Sequence, residues 1–237
     1  MGSDPDPDAI AEFRAARELV LRNVDAACGR SGRDPSDITL VAVSKTVATP
    51  RLGAAVAAGL TLLGENRVQE AESKAPLVPG ASWHLIGPLQ SNKARRSVEL
   101  FEVIESVDTL ELARRLDRLA TEAVRAPMGV FLQVNVDRDE AKSGFRPDAL
   151  ETALPELAAL TGLRLLGLMT VGRLVSTPEE ARSTFAGLRE LSERLKGRFS
   201  ALGGGLSMGM SNDYEVAVEE GATLIRVGRA LFGARGA

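Results

Sequence analysis

Lys45 is the residue whose type and position best suit chemistry. It follows the apolar run ITLVAVS at 38–44, which predicts a buried β-strand. Burial penalises the charged form of an amine and so lowers its pKa, and the neutral amine can attack a carbonyl. Only five of the 29 lysines and arginines are lysines, and a guanidinium cannot form a Schiff base. A lysine that merely reaches water or pairs with an acid is the alternative that this segment leaves open.

A second set of residues predicts an anion site near the C-terminus. The segment LSMGMS at 206–211 ends in Met210 and Ser211, and the segment IRVG at 225–228 contains Arg226 and ends in Gly228. Small residues let backbone amides approach phosphate oxygens, the Ser211 hydroxyl can donate, and the amides of Gly228 and Arg229 open a terminal helix. Glycines that only turn the chain are the alternative, but the serine and the arginine favour a phosphate site.

Short apolar runs alternate with amphipathic segments along the chain, after a helix predicted over residues 8–29. This alternation predicts an α/β fold, a single (β/α)8 TIM barrel with one extra N-terminal helix. In such a barrel, Lys45 and the two C-terminal segments lie at the same end, because functional residues gather where the strands end. The predicted strands are 39–44, 60–64, 83–86, 103–106, 129–136, 164–169, 206–208 and 223–227.

The alternative fold, an open doubly wound sheet, usually begins with a glycine-rich turn that the first strand lacks. No linker of Pro, Gly and Ser divides the chain, so we expect one domain over residues 1–237. The start MGSDPDPD, residues 1–8, is expected to be a disordered leader.

Composition excludes several classes of function. A net charge of −3 and a pI near 5.5 predict no nucleic-acid partner and no anionic membrane partner. No apolar run reaches 18 residues, and one His with one Cys predicts no metal site. The single cysteine, Cys28, excludes an intramolecular disulfide and suits a reducing cytoplasm, and its place on a helix favours packing.

A lysine at strand 1 opposite a phosphate site at strands 7 and 8 suits a phosphorylated aldehyde, and pyridoxal 5′-phosphate (PLP) is the common cofactor of that kind. Arg226 would then face the ring. An arginine stays protonated and donates without giving up its proton, so the ring would remain a weak electron sink.

The chain resembles the pyridoxal-phosphate homeostasis proteins (the YggS/PROSC family), which resemble the barrel domain of alanine racemase, a fold-type III PLP protein. The resemblance runs through nearly the whole chain in order. Its motifs are LVAVSKTV at 40–47, GENRVQE at 64–70, WHLIGPLQSNK at 83–93, ESVDT at 105–109, QVNVDRDEAKSGF at 133–145, GLMTVG at 167–172, LSMGMSNDYEVAVEEGAT at 206–223 and IRVGRALFG at 225–233.

The resemblance implies roles for individual residues. Lys45 would be the Schiff-base lysine, Asn66 would lie close to the cofactor, and Arg226 would face the pyridine nitrogen. Ser211, Gly228 and the amide of Arg229 would hold the phosphate. Many relatives carry Ser or Thr in place of Arg229, so one hydroxyl contact is replaced by a backbone amide or a guanidinium.

Three functions remain open from sequence. The first, which we favour, is a PLP carrier without evident catalysis that serves intracellular PLP homeostasis, with PLP-dependent apo-enzymes as partners and a monomer or weak homodimer as its state. The second is a PLP-dependent amino-acid racemase, which needs a second acid/base that only Tyr214 offers as a tyrosine. The third is an aldolase-type barrel that uses Lys45 on a substrate carbonyl.

Three further residues are weighed and mostly declined. His84, inside a predicted strand, is expected to be packed or hydrogen-bonded. Lys93 and Lys142 are expected to be surface cations, with a second cofactor amine or a carboxylate anchor as the alternatives.

Overall fold

A parallel barrel closes on itself in the computed structural model, which describes residues 5–173 and 175–233. The strand order is β1 to β8 in sequence, with β8 pairing back to β1, so the predicted (β/α)8 barrel is confirmed. The strands are β1 Thr39–Val43, β2 Leu62–Glu65, β3 Ser82–Leu85, β4 Val103–Val107, β5 Met128–Gln133, β6 Leu163–Met169, β7 Gly205–Ser207 and β8 Leu224–Val227.

Helices follow the strands and cover the barrel from outside. They are α1 Pro7–Ser31, α2 Thr49–Ala57, α3 Val68–Lys74, α4 Ala94–Leu100, α5 Leu110–Glu122, α6 Pro147–Leu157, α7 Arg182–Lys196, α8 Tyr214–Glu219 and α9 Arg229–Phe232. Thr109 shows how local sequence sets a boundary, because its side chain accepts a hydrogen bond from the Leu112 amide and caps α5. Short 3-10 turns at Ser91–Lys93 and Pro178–Ala181 lead into α4 and α7.

The extra helix α1 packs across the outside of the barrel. Phe13 is fully buried, and its ring meets that of Phe232 edge-on with centroids 5.4 Å apart. Arg33, just after α1, donates to the carbonyls of Val218 and Ala222 at 2.6 and 2.7 Å. Cys28 is buried in the same core, and burial raises the pKa of its thiol, as expected for a packing residue.

The leader predicted over residues 1–8 extends too far, because its last residues belong to α1. Residues 1–4 lie outside the described part of the chain, but Pro7 and Asp8 form the first turn of α1. The Asp6 side chain accepts from the Asp8 amide, so this segment carries a helix cap.

Alternate residues of the strands point to different layers. Val41, Phe131, Met169 and Leu224 form a small apolar cluster inside the barrel, whereas Ala42, Ile225 and Val227 belong to the large core between strands and helices. This two-residue period decides which side chains can reach the interior. Within the described residues, no helix is long and apolar enough to cross a lipid bilayer.

Candidate functional site

Lys45 lies at the C-terminal end of β1, beside the end of β8. Val41 pairs with Arg226 in the parallel ladder, and a Cβ placed on Gly228 would lie 3.4 Å from the Val43 side chain. Val41 and Leu224 both point inward, so the two-residue period directs Arg226 to the interior side as well, and Lys45 lies two residues beyond the end of β1. Arg226 is 4% exposed and Lys45 is half-buried.

Ser211 and Gly228 meet between β7 and β8, as the sequence predicts. The Ser211 Oγ accepts from the Gly228 amide at 3.1 Å and from the Ala230 amide at 3.4 Å. Because the hydroxyl oxygen accepts both bonds, its own hydrogen is available to an anion. Gly209 permits the loop geometry, since its φ is +91° and an added Cβ would lie 2.6 Å from Ala217.

The neighbours of this loop have separate structural tasks. The Met210 amide donates to the Asp213 carboxylate at 2.6 Å, and burial raises the pKa of that carboxyl group. The Arg229 guanidinium donates to the Asn212 side chain at 3.0 Å on the protein surface. The side chain of Arg229 is therefore engaged with Asn212.

Asn66 follows β2 at the same end of the barrel and is half-buried. The backbone of Gly87, after β3, passes so close that a Cβ there would lie 2.3 Å from the Asn66 carbonyl oxygen. The Ser106 hydroxyl donates to the Gly87 carbonyl at 2.6 Å and fixes this crossing. The position of Asn66 is therefore fixed by contacts among the ends of β2, β3 and β4.

Arg226 belongs to a polar network inside the barrel. Its Nη1 donates to the Ser207 Oγ at 2.5 Å, and its Nη2 donates to the Thr170 carbonyl at 2.7 Å. The Glu105 carboxylate is fully buried 3.9 Å from Nη1. Burial lowers the pKa of the Arg226 guanidinium, and the charges of Glu105 and Asp213 oppose that effect.

The directions of these hydrogen bonds are fixed by chemistry. Arg226 can only donate, so the Ser207 oxygen accepts from it and its hydroxyl must donate to Glu105 Oε2, at 2.6 Å. The other oxygen of this carboxylate lies 2.7 Å from His84 Nδ1, which therefore carries the hydrogen. His84 is buried and hydrogen-bonded, as expected. It lines a cavity of about 510 Å³ among residues that begin the strands, including Thr39 and Thr61.

A second buried cluster lies beneath Lys45, formed by Glu65 of β2 with Glu70 and Lys74 of α3; we call it the Lys74 cluster. Lys74 is 8% exposed, and its Nζ donates to Glu65 Oε1 at 2.8 Å and to the Ser44 carbonyl at 2.9 Å. The Ser44 hydroxyl also donates to Glu65 Oε1, at 2.7 Å. The strand before Lys45 is therefore tied to α3 by side chains.

The two acids of the Lys74 cluster have opposite pKa shifts. Burial raises the pKa of Glu65 to about 7. Burial acts in the same sense on Glu70, but the neighbouring Glu65 carboxyl group and the Lys74 charge hold its pKa below the usual value. Glu65 Oε2 has no hydrogen-bond partner among the described residues, and burial of this oxygen disfavours the charged carboxylate.

The residues to which the sequence analysis assigned no direct role in the site lie on the surface or in structural contacts. Lys93 is half-exposed in the turn before α4, and the Lys142 ammonium lies 3.4 Å from the Val171 carbonyl and 3.8 Å from Asp139. Tyr214 is buried, and its hydroxyl accepts from Asn23 of α1 at 2.9 Å. The acids Glu219 and Glu220 are partly buried ion-pair partners of Arg30, Arg182 and Arg189.

Sequence reasoning missed Lys74 and the partnership of Glu105 with Ser207. One sequence feature could have indicated Lys74: it is one of the five lysines of the chain, and it lies four residues after Glu70 on the helix that follows β2. Glu105 and Ser207 are 102 residues apart, so no local pattern joins them. No group of three or more His, Cys, Asp or Glu side chains suitable for a metal ion occurs in the described ranges.

Comparisons with known proteins agree with one another. The family model described as "Alanine racemase, N-terminal domain" matches residues 20–236. A Synechocystis protein named pyridoxal phosphate homeostasis protein is 43% identical over 204 residues, which are 85% of this chain and 93% of the relative. The PipY structure of Synechococcus elongatus with PLP bound is 43% identical, with a TM-score of 0.79, over 89% of this chain and 100% of PipY. Alanine racemase of Clostridium difficile, 14% identical, shares the fold with a TM-score of 0.73 over 98% of this chain and 61% of its own.

Proposed function

The chain belongs to the pyridoxal phosphate homeostasis protein family, and on this premise we propose that it binds PLP and takes part in PLP homeostasis in the cell. One observation carries the proposal. β1, which precedes Lys45, pairs with β8, which precedes Gly228, and the Gly228 amide donates to the Ser211 hydroxyl oxygen there. An amine and an anion-binding set of donors therefore share one end of the barrel.

The donor set fits the chemistry of the cofactor. A phosphate needs several hydrogen-bond donors, and we assign this role to Ser211, Gly228 and the Arg229 amide, with Met210 shaping the loop. The Gly228 amide donates to Ser211 Oγ in this structure and would exchange that acceptor for a phosphate oxygen. An aldehyde needs a lysine, and Lys45 is the one at this strand end. A ring nitrogen can accept from Arg226, whose outer nitrogens are already aligned by Ser207 and Thr170. Asn66 lies one strand further round the barrel.

Lys45 supplies the covalent link in this proposal. Its neutral amine would be the nucleophile for the cofactor's aldehyde, with one water released as the link forms and one taken up as it is hydrolysed. Because the link would be reversible, the protein would store the aldehyde without consuming it. Bound PLP would supply a reactive carbonyl and an absorbing ring; the protein's residues bind, orient and release it.

The position of Tyr214 supports storage over racemisation. Racemisation requires acid/base groups on two faces of the substrate. The Tyr214 hydroxyl accepts from Asn23 in the packing between α1 and α8, outside the barrel, and burial raises its pKa. We therefore propose a carrier without evident catalysis. An exchange of the substrate α-proton with turnover on free amino acids, followed by NMR in heavy water, would overturn that part.

The covalent link is tested by the absorption spectrum of the purified protein with PLP. The native protein should show a near-visible band that borohydride fixes, with the added mass mapped to Lys45. Lys45→Ala should lose the fixed adduct, whereas Lys93→Ala, on the half-exposed turn before α4, should keep it. An undiminished borohydride-stable adduct in Lys45→Ala would refute the role of this residue.

The remaining partners follow from the same function. We propose that PLP-dependent apo-enzymes in the cytoplasm receive the cofactor, and that the protein acts as a monomer or weak homodimer without nucleic-acid or membrane partners. The net charge of −3 offers no general attraction to polyanions. Transfer is measured by the rate at which a PLP-requiring apo-enzyme regains activity with the loaded protein. A rate equal to that with the same total PLP free in solution, and unaffected by a PLP scavenger, would support hand-over; complete suppression by the scavenger would exclude it.

A further inference from the structure

The turn that carries Lys45 is strained. The Val47 amide donates to the Ser44 carbonyl at 3.0 Å, so residues 44–47 form a tight turn. Thr46 in that turn has a φ of +65°, a left-handed conformation that a β-branched residue rarely adopts. Such a conformation persists only where surrounding contacts hold it.

The Lys74 cluster supplies contacts on both sides of Lys45. Before it, Lys74 Nζ donates to the Ser44 carbonyl at 2.9 Å, the same oxygen that closes the turn, and the Ser44 hydroxyl donates to Glu65. After it, the Thr46 amide approaches Glu70 Oε2 at 3.5 Å. The two peptide units that flank Lys45 are thus attached to one cluster.

Burial makes these contacts stiff. Ser44 and Glu65 are 0% exposed, and Lys74 is 8% exposed. An ammonium placed there without partners would carry a large desolvation cost, so its hydrogen bonds to Glu65 and Ser44 are held. The Lys74 hydrogen bond to the Ser44 carbonyl reaches from α3 to the end of β1 and couples the helix to the turn.

We propose that Lys74 is a positioning residue for Lys45: by binding the Ser44 carbonyl together with Glu65, it holds the strained turn that presents the Lys45 amine at the barrel mouth. This inference rests on the proposed function of Lys45. It assigns Lys74 no contact with the cofactor.

The test separates covalent capture from phosphate binding. Lys74→Met removes the charge and keeps the stem, and Lys196→Met, on the exposed last turn of α7, is the matched control. Stopped-flow absorbance measures the rate of condensation with PLP, and borohydride trapping with mass mapping locates the adduct. Pyridoxine 5′-phosphate, which has an alcohol in place of the aldehyde, measures binding that needs no amine.

Lys74→Met should slow condensation at Lys45 about tenfold or more, since small misplacement of a reacting group has effects of this size. Its affinity for pyridoxine 5′-phosphate should stay within about twofold of native, and Lys196→Met should match native in both. An unchanged condensation rate in Lys74→Met refutes the inference. An equal loss of both properties assigns Lys74 a structural role only, and also refutes it.

Two further outcomes distinguish a failure of this inference from a failure of the proposed function. If the native protein forms no adduct at Lys45, the proposed function fails. If the native protein forms it and Lys74→Met forms it equally fast, only the positioning role falls. Should Lys74→Met not fold, Lys74→Gln keeps a polar side chain in the cluster but is too short to maintain the bond to the Ser44 carbonyl; it should slow condensation and spare pyridoxine 5′-phosphate binding, and no slowing refutes the inference.

Discussion

Replacing Glu105 by Gln should destabilise the protein strongly, because Glu105 is the buried counter-charge of Arg226. The carboxylate is 0% exposed and accepts from Ser207 and His84 at 2.6 and 2.7 Å. Glu105→Gln removes the charge and places an amide donor against one of these donors. Breaking one partner of a buried ion pair costs about 3–5 kcal/mol, and we expect a loss of free energy of unfolding in this range.

A second substitution should partly restore stability. In the double variant Glu105→Gln, Arg226→Met, no charge is left unpaired and the Ser207 oxygen no longer accepts from Arg226. The glutamine amide can then donate to Ser207 while its carbonyl accepts from His84. The double variant should therefore be more stable than Glu105→Gln alone, by about 2 kcal/mol, since replacing both partners of a buried pair costs less than replacing one.

Urea unfolding of the cofactor-free proteins at neutral pH measures these differences. Glu102→Gln, at the exposed start of β4, is the control and should stay within about 0.5 kcal/mol of native. If the losses of Glu105→Gln and Arg226→Met simply add in the double variant, the two side chains do not act as a pair. That result would refute the network as described.

Three other predictions concern the site and its pH dependence. Gly87→Ala, whose Cβ would lie 2.3 Å from the Asn66 carbonyl oxygen, should destabilise the fold by about 1–3 kcal/mol and weaken PLP binding, as measured by unfolding and spectral titration. Folding raises the pKa of Glu65 from 4.5 to about 7, so the stability that its protonated form contributes is complete below pH 4.5 and is lost as the pH rises through 7. The free energy of unfolding should therefore fall between pH 5 and 8, by at most about 3 kcal/mol, and Glu65→Gln should make it less dependent on pH. Ser211→Ala should weaken the binding of both PLP and pyridoxine 5′-phosphate about tenfold, whereas Asn212→Ala, on the exposed side of the same loop, should not; equal effects would contradict the assignment of Ser211 to phosphate.

The barrel could be predicted from sequence because its elements are encoded locally. Each strand is a short apolar run, and the helices carry their own periodicity and caps, as Thr109 does for α5. The observed strands begin within two residues of their predicted starts, and the largest error is at the end of β5, predicted at 136 and found at Gln133. There the chain leaves the regular sheet, and Val134 forms an isolated bridge with Phe145. Strand ends are decided by such tertiary pairing, which apolar runs do not record.

The candidate site was predictable only as far as the barrel rule reaches. That rule brings together Lys45, Ser211 and Gly228, because all three follow strands. It does not predict the surface hydrogen bond between Arg229 and Asn212, because the rotamer of a long side chain depends on which acceptors lie nearby. Nor does it identify Lys74, because which residues of a helix face the site depends on how the helix packs against the barrel.

Both buried networks bear on how many protons the site can move. In the interior network the donor directions are fixed, and Arg226 can only donate, so it orients a partner without exchanging a proton with it. In the Lys74 cluster the titrating acid is Glu65, but it lies behind the turn, where it accepts from the Ser44 hydroxyl while Glu70 accepts from the Thr46 amide. The groups we assign to the mouth therefore include a single amine able to gain and lose a proton, Lys45. One such group suffices for condensation and hydrolysis, whereas two-sided transfer needs a second, and this difference is the physical basis of the carrier that we propose.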